Sequence, residues 1–130
     1  MAANPINNEV QFAQAAVQHW QRLGQELKAD IQQFNQGGGS ASFSQPSTKE
    51  YRVSNSDSGL EVIIVADPDD HIVRYDFART NSQSAGVPEG GMLSMRMGKS
   101  GVEFYSSDQP VKGEEARGLF LDPVLNPPMA

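Results

Sequence analysis

Between residues 8 and 35 the apolar positions Phe12, Ala16, Trp20, Leu23, Leu27, Ile31 and Phe34 recur at steps of 4, 4, 3, 4, 4 and 3. That spacing follows the turn of an α-helix and predicts one long amphipathic helix. Asn7 or Asn8 is placed to cap it, and Glu9 suits the positive end of the helix dipole. Gly37 to Gly39 should end it. A second, heptad-like stripe runs through Val10, Ala13, Val17, Trp20, Gly24, Leu27, Ile31 and Phe34. Gly24 and the flanking glutamines make it a poor coiled-coil seam. Burying seven such side chains contributes at most ~10–20 kcal/mol, whereas ordering the helix costs about 1–2 kcal/mol for every residue. The helix must therefore lie against something, and Trp20, the largest side chain common to both stripes, is its expected anchor.

Residues 36–48 are rich in Gly and Ser and read as a flexible linker. From Lys49 the period changes to two. Strands are predicted around Tyr51–Val53, Leu60–Ala66, His71–Arg79, Met92–Met97 and Val102–Ser106, separated by turn-forming residues. Leu60–Ala66 is apolar on both faces apart from Glu61, which suggests an interior strand. The expected fold is α+β: one N-terminal helix on a five-stranded antiparallel meander spanning 49–106. A C-terminal tail, 107–130, would hold a short apolar element around Leu119–Phe120–Leu121, curtailed by Pro123, Pro127 and Pro128. All 130 residues form one domain. One helix followed by a meander is similar in layout to a cystatin-like roll. The Gln-x-Val-x-Gly hairpin of the cystatin inhibitors is absent, so no inhibitory function follows from that likeness.

Alternation also divides the strands into two faces. Tyr51, Val53, Val62, Ile64, Val73, Tyr75, Phe77, Leu93, Met95, Met97, Val102 and Phe104 would meet the helix. The opposite face carries Arg52, Ile63, Val65, Ile72, Arg74, Met92, Arg96 and Tyr105, with Glu61, Asp76 and Glu103 among them. It is half apolar and studded with arginines, a composition enriched at protein interfaces. Either the tail, a partner or second subunit, or a small anionic ligand should cover it. Arg52, Ile63, Val65, Ile72, Arg74, Arg96 and Tyr105 are its candidate contact residues.

Charge narrows the partners. Ten basic residues spread among sixteen acidic ones give a formal net charge of −6 and no basic stripe, which disfavours nucleic acid and anionic membranes. With no cysteine, thiolate metal sites and cysteine nucleophiles are excluded. The N-terminus lacks a signal-peptide pattern, and a cytoplasmic location is expected.

The motifs that resemble chemical sites reduce to turns. Gly98-Lys99-Ser100 ends like a P-loop, but the Gly required five residues earlier is Leu93 and no helix follows. Asp67-Pro68-Asp69-Asp70-His71 has turn composition, and His19 lies on a different element from His71, so no shared metal site is expected. The loop 80–91, with its Gly86–Gly91 segment, is long enough to merit attention. No nucleophile–His constellation or carboxylate pair stands out. The expectation is a non-enzymatic, cofactor-free interaction module that forms a homodimer or binds a protein partner. The alternative is a small anionic-ligand binder using the helix–sheet cup or the Arg52/Arg74/Arg96 face.

Overall fold

A computed structural model describes residues 5–67, 69–80, 86–99 and 101–126. Pro68 of the Asp-Pro turn, Ser100 of the Gly-Lys-Ser hairpin, residues 81–85 of the long loop, and Pro127 and Pro128 lie outside the described residues. The fold is α+β, with a long N-terminal helix α1 (Pro5–Gln36) and seven strands in one antiparallel sheet. The strands are β1 (Ala41–Ser47), β2 (Glu50–Asn55), β3 (Leu60–Asp67), β4 (Ile72–Arg79), β5 (Gly91–Gly98), β6 (Gly101–Ser106) and β7 (Gln109–Val111), hydrogen-bonded in chain order. A second helix, α2 (Gly113–Leu125), ends the described chain.

The expected helix forms, starting earlier than the Asn7–Asn8 cap: Pro5 opens it, its fixed φ being suited to a first turn. It ends as expected, with the amides of Gly37 and Gly39 returning to the carbonyls of Gln33 and Phe34 and Gly38 at φ 102°. Phe12, Ala16, Trp20, Leu23, Leu27 and Ile31 are buried, and Val10 and Val17 of the second stripe stand exposed. The 4-4-3 stripe is thus the one that meets the sheet. Trp20 anchors it. Its ring stacks on Tyr51 with centroids 4.1 Å apart, its Nε1 donates to the Thr48 carbonyl at 2.8 Å, and the Tyr51 hydroxyl donates to the Trp20 carbonyl at 2.8 Å. Gly24 is needed for this approach, because a Cβ there would run into the Tyr51 hydroxyl.

Two strands were not expected. Residues 41–47 of the supposed linker form β1, where Ala41 is buried, Phe43 half-buried, and Ser42 and Ser44 point away from the helices. The Asn35 side chain grips this strand, accepting from the Ala41 amide and donating to its carbonyl, both at 2.9 Å. Strand β7 is three residues long. Both lie at the sheet edges, where Pro46 and Pro110 cost no ladder hydrogen bond on the inner side. The five expected strands are β2 to β6, and β3 is interior, as its composition suggests.

The tail holds more structure than its prolines imply. Helix α2 passes through Pro123 and stops at Asn126, whose amide bonds to the Asp122 carbonyl. Pro123 sits in the last turn, so its missing N–H costs one bond near an end rather than mid-helix. Ala116, Phe120, Leu121 and Val124 are buried. They pack on the same side of the sheet as α1: Phe120 meets Tyr75 edge-on at 5.1 Å, and Arg117 ion-pairs with Glu26 and Asp30 of α1, its Nε being 2.7 Å from Asp30. Asn55, 2% exposed, donates to the Val124 carbonyl at 3.0 Å and accepts from the Asp57 amide at 3.1 Å.

Candidate functional site

With both helices on one side, α2 leaves the opposite face open, and tail coverage by residues 113–125 is ruled out. Register places the face residues in rows. One row reads Glu50, Val65, Arg74, Met92 across β2 to β5, and the next reads Arg52, Ile63, Asp76 across β2 to β4. Beyond the first lie Asp67, Ile72, Ser94 and Tyr105, and beyond the second Ser54, Glu61 and Ala78. Arg96 faces Glu103 on β6. Ile63, Val65, Ile72 and Tyr105 are half-buried by their neighbours, while Arg74, Met92 and Arg96 are exposed. The centre of the face is therefore aliphatic, bordered by charges of both signs.

The three arginines do not converge. Arg52 Nε lies 2.5 Å from Glu50 and its guanidinium 3.6 Å from Glu61, and the hydrogen bond and charge of Glu50 raise its pKa further. Arg96 lies over the Tyr105 ring, 4.4 Å from its centroid, and pairs with Asp108 at 3.0 Å. Arg74 forms no ion pair among the described residues, and neither does its strand neighbour Asp76. The expected face residues are thus together on one surface, but as separate charges rather than an anion clamp. Met97 departs from the expected alternation: it is 50% exposed instead of helix-covered. Strand β4 begins at Ile72, opposite Ser94, so Met97 has a strand neighbour only on the β6 side.

The other candidates stay local. The Asp67 carboxylate accepts from the Asp70 amide at 3.3 Å within the turn, and His71, at φ 56°, stacks on Phe12 at 3.9 Å with Glu9 3.8 Å away. Among the described residues, no three His, Asp or Glu side chains gather as metal ligands. Gly98 and Lys99 form a strand–strand turn. In the long loop, Gly90 packs on the Tyr75 carbonyl and Asp76, leaving no room for a Cβ. No helix among the described residues is long and apolar enough to cross a membrane.

On the helix side, a cleft of about 300 Å³ opens between α1 and the sheet, lined by Ala16, Val17, Trp20, Ala66 and Met95, with Lys49 at its rim. His19 lies against the Phe104 ring at 4.6 Å, and its buried Nε2 has no hydrogen-bond partner among the described residues. Burial, and then the Arg22 charge, lower its pKa below the ordinary value, partly opposed by Glu26. The sequence reading missed Asn55 and Arg117, which tie α2 to β2 and to α1. The visible signal was Asp30, an acid with Glu26 four residues before it and no basic residue three or four positions away. The chain matches no protein-family model, and no curated protein or solved structure resembles it significantly.

Proposed function

We propose that this chain is a non-enzymatic protein-interaction module that works through its open sheet face and associates with a second copy of itself. The observation that carries the reading is the placement of α2 beside α1, which leaves Ile63, Val65 and Ile72 without a covering element among the described residues. Half-buried aliphatics inside a mixed-charge border suit a closed, isologous contact, the commonest way for chains to cover such a surface. The edges support the same choice. Pro46 and the irregular register between Ser44 and Ser47 blunt β1, while Pro110 and a length of three residues blunt β7, so edge-to-edge pairing is disfavoured. A cystatin-like layout enters only as an analogy of a helix laid over an antiparallel sheet, and it brings no inhibitory activity.

Sedimentation equilibrium over a wide concentration range tests the reading. A dimer is expected, and Ile63→Asp should convert it to a folded monomer by placing an unpaired carboxylate in the contact. A wild-type monomer at every concentration would remove self-association. A small anionic ligand is the second reading. Its support is the apolar cleft beside Trp20 with Lys49 at the rim, a shape that suits an amphiphile with a carboxylate head. Titration with a medium-chain fatty acid, followed by Trp20 fluorescence, would show saturable binding lost in Lys49→Glu.

A further inference from the structure

We infer that two copies pair face to face about a two-fold axis that lies between the sheets, perpendicular to the strands, above the gap between the Glu50–Val65–Arg74 and Arg52–Ile63–Asp76 rows. This rests on the self-association reading above and specifies its register. A rotation about that axis reverses each strand and exchanges the two rows. Glu50 then lies over Arg52 of the second copy, Val65 over its Ile63, and Arg74 over its Asp76. Every contact occurs twice, and in each one an acid meets a base or an aliphatic meets an aliphatic.

The position of the axis follows from the charges that the fold leaves unmatched. Arg52 already holds Glu50 and Glu61. Arg74 and Asp76 are exposed, form no ion pair among the described residues, and sit two apart on β4, about 6.8 Å along the strand. Placing the axis above Tyr75 lets each take the other in the second copy and leaves the Arg52–Glu50 pair intact. A rival axis running along β3 also matches signs, setting Arg74 over Glu50 and Arg52 over Asp76. It would force Arg74 to share a carboxylate that Arg52 holds, and would set Ile72 over the polar end of β2 near Thr48. The perpendicular axis sets Ile72 over Ala78 instead. Packed sheets cross at about 30°, so this register holds best near the axis, within the ~10 Å between β2 and β4.

Charge exchange tests the axis. Arg74→Glu alone sets two carboxylates against each other at both symmetry-related contacts, and Asp76→Arg alone sets two guanidiniums together. Each should weaken the dimer by roughly tenfold or more in sedimentation equilibrium. The double variant Arg74→Glu/Asp76→Arg should recover the wild-type dimer constant, and an equimolar mixture of the single variants should form the heterodimer in preference to either homodimer. Along the rival axis the double variant would be the weakest of all and the mixture would show no preference. That result overturns the proposed register while leaving the face reading intact. A wild-type monomer, or a dimer indifferent to Ile63→Asp, overturns both. Far-UV circular dichroism spectra unchanged from wild type establish that the variants, at exposed positions, remain folded.

Discussion

The two faces of this sheet are made from the same strands by alternate residues, yet they have different fates. On the helix side, Val53, Val62, Ile64 and Val73 reach zero exposure, and the buried polar side chain Asn55 is bonded to both α2 and its own turn. On the open side, Ile63 and Val65 are only partly shielded, and Arg52, Arg74, Asp76 and Glu61 surround them. Apolar content alone does not separate the faces, because β3 contributes aliphatics to both. Charge does. A face with no charge can be sealed inside one chain, whereas one that keeps charges of both signs is suited to being sealed and unsealed.

The sharpest way to break this comparison is one substitution on each face. Val73→Asp buries an unpaired carboxylate at a position with no exposure and should unfold the domain, costing more than about 4 kcal/mol. Ile63→Asp should cost the fold only about 1 kcal/mol, the scale of strand propensity at a half-exposed site. Far-UV circular dichroism reads both, and equal unfolding of the two variants would mean that the faces are not distinct. Next in size is Trp20→Ala, which should cost about 3–5 kcal/mol in urea denaturation followed by circular dichroism, because it removes the Tyr51 stack and the bond to Thr48 together. A loss under 1 kcal/mol would mean that α1 is held elsewhere.

Gly24→Ala should be smaller and of opposite sign to helix propensity. Alanine gains about 1 kcal/mol in a helix, but displacing the stacked Tyr51 ring costs about 1–3 kcal/mol. A net loss is expected, and a double-mutant cycle with Tyr51→Phe should show coupling between the two sites. The smallest effect concerns His19. Its folded pKa lies below the unfolded value near 6.5, so the unfolded chain takes up the proton first. Its contribution is full at neutral pH and is lost as pH falls through about 6.5 towards the lowered folded value. The urea midpoint should fall with acidification in that window, and less steeply in His19→Phe. An unchanged slope would place the acid sensitivity in other groups.

How much of this was legible depends on where each element gets its stability. Helix α1 and strands β2 to β6 carry strong periodicity, and their face assignment could be read residue by residue, apart from Met97. The edge strands could not. β1 is spelled Ala-Ser-Phe-Ser-Gln-Pro-Ser, a linker composition, and it is a strand because Asn35 and β2 offer it partners. Helix α2 has low propensity, with two glycines and an internal proline. It is held by distant contacts that periodicity cannot display. Alternation placed the candidate residues on one side of the sheet, but no pattern in the chain shows that the tail turns to the other side.

The Arg117 pairs join residues 87 and 91 positions apart, and Asn55 reaches Val124 across 69. Contacts of that span close late, since the loop entropy between their ends must be met first. During synthesis, the part of the inner face of β2 and β3 that α2 covers stays bare until the last quarter of the chain has been made. For that interval the aliphatics on both sides of β3 are open at once, and a sister copy emerging nearby could engage either. A chain ending before Gly113 would never leave this condition: it should accumulate as aggregate or be degraded, even though every strand of its sheet is present.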